Sequence, residues 1–266
     1  MIKRIVHRAF NKLGYRLVKL LPEGQEQDII ERGKFIVRKV SPELQVLNGP
    51  FQGLKYPSLD ITEATLVPKI VGSYESQLHT ILQRIFDTPY SDIIDVGCAE
   101  GYYAVGFASR MPNTTIHCFD VNESDLNFCR RMAKHNNLNN LIYNNLCTQA
   151  TLINFNFKGR GLIFSDCEGF ELELFTEEVV GKLTNVDVLV ELHDNVNPII
   201  SSEILMRFQH THNFQVINNL NVDVAELTGL EQLSEKDKEF AVFEHRGGIN
   251  KNIFMEWAFL TSKINK

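Results

Sequence analysis

Ile93-Ile94-Asp95-Val96-Gly97-Cys98-Ala99-Glu100-Gly101 decides the fold. Ile93–Val96 is apolar and β-branched apart from one carboxylate, the composition of a short buried strand. Gly97 and Gly101 bracket a sharp turn, where a glycine allows an unusual φ or the close approach of a ligand. The apolar-rich segment Glu100–Arg110 then reads as a helix that Met111-Pro112 ends. Such a helix start aims unpaired N–H groups and a partial positive charge at whatever lies beside it. The dinucleotide fingerprint G-x-G-x-x-G fails here, because Ala99 and Tyr102 stand at its second and third glycines. An ordinary βα turn is the plain alternative.

The next segment argues against that alternative. Thr114–Phe119 reads as a second strand ending in Asp120, roughly twenty residues past the glycine turn, where a strand-end acid reaches a ribose diol. Two hydroxyls facing one carboxylate make charge-assisted hydrogen bonds. The Asp95-x-Gly97-x-x-x-Gly101 turn followed by Asp120 resembles the class I S-adenosylmethionine-dependent methyltransferases. The resemblance implies cofactor contacts from Asp95, Gly97, Cys98, Ala99, Glu100, Gly101, Asp120, Val121, Asn145 and Asp166, with Leu146 and Cys147 as further walls for the adenine.

Composition sets the bounds. The 266 residues suffice for one large α/β domain and an extension, and 44% hydrophobic with 23% charged residues is ordinary globular material. A net charge of −6 argues against a nucleic-acid partner. The five cysteines are odd in number and scattered, which suits reduced thiols and a cytoplasmic location. No apolar run approaches the ~18–20 residues of a membrane helix, and no signal peptide is visible. Residues Met1–Leu21 are basic and amphipathic. They suit a terminal helix packed on its own domain or on a second subunit in a homodimer, or a peripheral membrane contact.

Residues 1–90 read as an N-terminal extension: that basic helix, strands at Lys34–Val40, Leu44–Leu47 and Phe51–Tyr56, and one covering helix over Leu66–Phe86. Gly72-Ser73-Tyr74-Glu75, within that helix, reads either as a segment that approaches the cofactor, as the methyltransferase resemblance implies, or as a glycine packing point in a plain covering helix. Residues 91–266 form the main domain. Asn122 is the N-cap of a helix over Glu123–Asn136, and strands follow at Leu141–Asn144, Gly161–Ser165, Val186–Leu192, Phe214–Ile217 and Ile253–Leu260. Asn197-Pro198 opens a further helix. The alternation predicts an α/β, doubly wound, mostly parallel, seven-stranded Rossmann-like sheet. Residues 218–252 are polar, too long for a simple connection, and read as a substrate-covering insert. Within it, Glu244-His245-Arg246-Gly247-Gly248 is read as a solvent-facing patch, with Arg246 able to hold an anionic substrate group.

Two predicted strand ends are unusually polar: Asp166-Cys167-Glu168-Gly169-Phe170-Glu171 and Glu191-Leu192-His193-Asp194-Asn195. Together with the turn, Asp120 and Glu256-Trp257-Ala258-Phe259-Leu260, they are similar to the FkbM-type family of methyltransferases from about Ser91 to the C-terminus. Cys167 departs from the pattern, where hydrophobic residues such as valine are common. The resemblance implies methylation of a hydroxyl on a sugar, glycan or small natural product. His193 is the candidate base, with Asp166 and Glu168 as partners. Asp166, Asp194 and Asn195 are similar to the magnesium site of catechol-type O-methyltransferases, an arrangement that suits Mg²⁺ or another divalent cation. The rival readings are a nicotinamide-dependent oxidoreductase and a non-catalytic binding protein on the same fold.

Overall fold

The structure is a computed structural model that describes residues 25–61, 64–218, 226–244 and 256–264. The expectations for Met1–Leu21 and for 245–248 lie outside the described residues.

The strands are β1 (Asp92–Val96), β2 (Thr115–Phe119), β3 (Leu141–Asn144), β4 (Gly161–Ser165), β5 (Val186–Leu192), β6 (His212–Ile217) and β7 (Glu256–Ser262). They form one sheet in the order β3-β2-β1-β4-β5-β7-β6. The pairs from β3 through to β5 are parallel, and β7 runs antiparallel between β5 and β6. Strand order therefore reverses between β1 and β4, which opens a crevice at their carboxyl ends. This is the expected doubly wound architecture.

Period-two alternation splits β1 between two cores, as a strand covered on both faces requires. Ile93 joins one apolar cluster and Ile94 and Val96 the other. The Ile93 face packs against α1 (Gln25–Val40), α2 (Leu66–Val71), α3 (His79–Phe86), α4 (Tyr102–Arg110) and α5 (Glu123–His135). The opposite face packs against α6 (Gln149–Asn154), α7 (Glu171–Leu174), α8 (Glu177–Lys182) and α9 (Ile200–Phe208). The described part of the N-terminal extension thus shares its core with the sheet.

Three readings of the extension are corrected. Lys34–Val40 is the second half of helix α1, not a strand. Its β-branched residues mimic strand composition, but Ile36, Val37 and Val40 are buried while Phe35 is 63% exposed, a helical stripe. Leu44–Leu47 and Phe51–Tyr56 do pair, with the Tyr56 N–H donating to the Leu44 carbonyl and the Val46 N–H to the Leu54 carbonyl, but the pairing amounts to one antiparallel bridge, Gln45 with Lys55, rather than two strands. The long helix over Leu66–Phe86 is broken. Gly72 takes φ +86, and a Cβ there would lie 2.0 Å from the Asn48 carbonyl oxygen. A turn and a 3₁₀ segment, Ser76–Leu78, intervene before α3.

The insert carries α10 (Glu235–Val242), which packs on α1 and α2. Arg32 pairs with Asp237 at 2.8 Å, and the Asn48 amide donates to the Thr228 carbonyl at 3.0 Å. The described part of the insert therefore docks on the N-terminal extension. No helix among the described residues is long and apolar enough to cross a membrane.

Candidate active site

β1 delivers the chain into the turn. Gly97 takes φ +81, and a Cβ on it would sit 1.9 Å from the Asp166 carbonyl oxygen. The unusual φ expected of this glycine is present, and the backbone leaving β4 also demands it. The Gly97 and Cys98 N–H groups both donate to the Phe119 carbonyl, at 2.8 and 3.1 Å. Ala99 follows at φ +45, an uncommon backbone for a residue with a side chain. Asp120, at the end of β2, accepts from the Ala99 N–H at 2.9 Å and from the Asn122 N–H at 2.8 Å. Its half-buried carboxylate thus lies against the turn beside the crevice.

Asp95 is wholly buried, and neither carboxylate oxygen has a hydrogen-bond partner among the described residues. Burial, then the nearby Cys98, Asp166, Asp120 and Glu100, push its pKa well above the ordinary carboxylate range. A buried carboxylate without a donor is costly. The left-handed turn, the donor-free Asp95 and the edge acid Asp120 fit a cofactor that carries an ammonium, a sulfonium and a ribose diol.

Other expected cofactor residues are differently engaged. The Cys98 thiol is buried in a packed trio with Cys118 and Cys129. Glu100 faces Lys69, whose ammonium is 2.7 Å away, and accepts from the Tyr56 hydroxyl at 3.3 Å. These two contacts direct its carboxylate into a buried ion pair. Val121, Asn145 and Leu146 are exposed at the ends of β2 and β3, while Cys147 is buried in the second core, where burial pushes its thiol up to about 12.

The second half of the site assembles at the ends of β4 and β5. Ser165 pairs with Val190, so continuing the register sets Asp166 beside Glu191. Glu191 and His193 stand two residues apart and project to one face. His193 is fully buried with Nδ1 2.6 Å from the Glu171 Oε1. Its Nε2 lies 3.3 Å from Glu191, 3.5 Å from Asp166 and 3.6 Å from Glu168. Burial alone lowers the imidazole pKa, but the Glu171 hydrogen bond and the charges of Asp166, Glu171 and Glu168 outweigh it and raise the pKa. Glu168 holds φ +53, a strained backbone that sets its carboxylate at the mouth with its side chain 81% exposed.

Asp194 and Asn195 do not join this cluster. Asp194 is exposed and accepts from the Ser201 N–H at 2.8 Å, capping the start of α9. Of the expected cation set Asp166–Asp194–Asn195, Asp194 is thus engaged at the start of α9. Helix α9 begins at Ile200 rather than at Pro198, and Asn197 precedes it by a turn.

Gly72–Glu75 does reach the sheet's front. Glu75 is buried at φ +46; its N–H donates to Glu244 at 2.9 Å, and its carboxylate accepts from the Tyr103 hydroxyl. The Tyr103 ring lies 4.4 Å from Phe164, which lies 5.0 Å from Trp257, an aromatic layer between the two acidic groups. Glu171, Glu191 and Trp257 were not picked out as site residues by sequence. A carboxylate in the apolar run of β5, two residues before a histidine, was the available signal for Glu191. An open groove of about 490 Å³ beside Arg130, Lys134, Asn137 and Tyr143 lies on the α5–β3 edge, away from these groups.

The strand order, the antiparallel β7 and the crevice between β1 and β4 define a doubly wound, Rossmann-like α/β sheet. A family model described as the methyltransferase small domain matches residues 77–157, less than a third of the chain. Among solved structures, a presumed O-methyltransferase from Klebsiella pneumoniae aligns over 98% of this chain and 99% of its own, with 8% identity and a TM-score of 0.48. The precorrin-6y C5,15-methyltransferase of Geobacter metallireducens aligns over 69% of this chain and 88% of its own, with 11% identity and a TM-score of 0.45. The bifunctional kinase-methyltransferase WbdD aligns over 70% of this chain, with 14% identity and a TM-score of 0.45, and the aligned part is 38% of WbdD's length. No curated protein matches the chain in sequence.

Proposed function

We propose that the protein is an S-adenosylmethionine-dependent O-methyltransferase of the FkbM type, acting on a hydroxyl of a sugar, glycan or small natural product. The observation that carries this reading is the pairing, at the switch point, of a donor-free buried Asp95 with an Asp120 carboxylate held against the turn. Asp95 would hold the cofactor's amino-acid end and Asp120 its ribose. S-adenosylmethionine, when bound, supplies a methyl group on a good leaving group, which leaves the chain to align the acceptor and remove its proton. Alignment of this kind is worth about 7–11 kcal/mol. Asp166 is half-buried and Glu168 exposed, so an incoming hydroxyl meets these two first. His193 stands behind them, oriented by Glu171, and acts by positioning and charge rather than by touching the acceptor.

The test is calorimetric titration of S-adenosylhomocysteine into the wild type and Asp120→Asn, with transfer of a labelled methyl group to a panel of hydroxyl acceptors. Hydrogen bonds to a charged group are worth about 1.5–3 kcal/mol, so the substitution is expected to weaken binding by about ten- to a hundredfold, with melting followed alongside because Asn can accept from only one of the Ala99 and Asn122 N–H groups. Equal affinity in both proteins would remove Asp120 from the site. Binding of NADH instead, followed by fluorescence, would favour the oxidoreductase reading.

A further inference from the structure

We infer that the chain binds one first-row divalent cation, of the Mn²⁺ or Zn²⁺ kind, through Asp166, Glu191 and the Nε2 of His193. This rests on the methyltransferase reading only for what the ion does, not for whether it binds. The three ligand atoms lie within 4.8 Å of one another. The spacings from Nε2, 3.3 Å to Glu191 and 3.5 Å to Asp166, approach those between donors that share one ion. Donors about 2.1 Å from a common metal lie roughly 3.0–3.4 Å apart.

Acidity alone would not make this a site. The decisive feature is the imidazole. His193 is 0% exposed, its Nε2 makes no hydrogen bond, and that nitrogen points into the carboxylates. Its other nitrogen is bonded to the buried Glu171 at 2.6 Å. A carboxylate on Nδ1 fixes the tautomer with the proton there and leaves a bare Nε2, the usual outer arrangement around a metal-bound histidine. Glu171 and Glu191 are also buried, so the pocket concentrates negative charge where water cannot disperse it. An imidazole together with carboxylates suits Mn²⁺, Fe²⁺ or Zn²⁺ better than Mg²⁺, which prefers oxygen and retained waters. Entry is open, since Glu168, 81% exposed, and Asp166, 26% exposed, lie on the solvent side. There the ion would bind the acceptor hydroxyl and lower its pKa, and the released proton would pass to the Glu168 carboxylate.

The experiment uses the full chain, stripped with a chelator. Mn²⁺ is added and free ion is followed by electron paramagnetic resonance, with Zn²⁺ competition and a separate titration of S-adenosylhomocysteine on the metal-free protein. One Mn²⁺ per chain is expected, displaced by Zn²⁺ and little affected by excess Mg²⁺. His193→Gln and Glu191→Gln should each weaken binding by at least about a hundredfold. Glu171→Gln, which meets the ring at Nδ1 and also accepts from the Gly169 N–H, should weaken it by about ten- to a hundredfold. Glu168→Gln, a surface change that leaves the fold intact, keeps the stoichiometry at one. Absence of stoichiometric Mn²⁺ and Zn²⁺ binding, or binding by a folded His193→Gln equal to wild type, overturns the inference. If S-adenosylhomocysteine binds the protein while neither metal does, the metal site falls and the methyltransferase reading stands.

Discussion

Gly97 shows how one residue serves two strands. Its φ of +81 turns the chain out of β1, and the room left by its missing side chain is filled by the Asp166 carbonyl 1.9 Å from where a Cβ would be. Alanine there meets backbone, which cannot swing aside as a side chain can. The left-handed conformation costs roughly 1–2 kcal/mol for a residue with a Cβ, and the clash adds to it. Gly97→Ala is therefore expected to destabilise the protein by more than about 3 kcal/mol in urea unfolding. Gly181→Ala is the contrast: it lies in α8 with no atom within 4 Å of its added Cβ, and it should stabilise by about 0.4–1 kcal/mol. Equal stability of the two variants would refute the account of the turn. The sequence marked the unusual φ at Gly97, but not the crowding by Asp166, because the chain leaving β4 is distant in sequence and gives no local signal at the turn.

Between elements, one buried tie near the site is the Lys69–Glu100 pair, 2.7 Å apart with side chains 7% and 3% exposed. It fastens α2 to the turn that opens α4, with Tyr74 and Tyr102 over the ammonium at 5.1 and 5.9 Å. Removing one member of a buried pair strands the other charge, at about 3–5 kcal/mol. Lys69→Met should lower stability by that amount. The double variant Lys69→Met/Glu100→Gln should recover a large part of it, and a double-mutant cycle in urea checks both. Additive losses would mean that the pair contributes no coupling. Elements built from continuous apolar runs were legible: β3, β4 and β5 fall where the sequence puts them. Those whose form depends on distant partners were not. The stripe of α1 becomes helical against α2, where the Cβ position at Gly33 comes within 2.9 Å of Val67, and α2 stops at Gly72 because the loop at Asn48 crowds it. The site followed the same rule. Asp95, Asp120, Asp166 and His193 could be named from strand ends, but Glu191 and Glu171 join only through the β4–β5 register and the Glu171–His193 bond.

Across the whole molecule, stability depends on pH through groups far from the crevice. His212 opens β6 and is buried, with Nε2 2.7 Å from the Val186 carbonyl and Nδ1 2.8 Å from the Thr211 hydroxyl. Nε2–H donates to the Val186 carbonyl, and Nδ1 pairs with the Thr211 hydroxyl, which also reaches the Phe208 carbonyl at 3.2 Å. The ring ties the sheet's antiparallel edge to the start of β5. Burial lowers the His212 pKa below the ordinary 6.5, against smaller opposing effects of the Val186 bond and the Asp187 charge. The unfolded chain therefore binds a proton near pH 6.5 that the folded chain refuses until a lower pH. Stability from this group is complete above 6.5 and is lost as pH falls below it. His79, lowered by burial as well, acts in the same direction, whereas Asp95 and His193, both raised, act in the opposite one. Comparison with His212→Gln removes these shared contributions. The amide can still donate to the Val186 carbonyl but cannot be protonated. The wild-type urea midpoint, relative to that of the variant, should fall between pH 7.5 and 5.5. A difference between the two proteins that is constant over this range would show that His212 takes up its proton equally in the folded and unfolded chains, and that the β6 edge is held by other contacts.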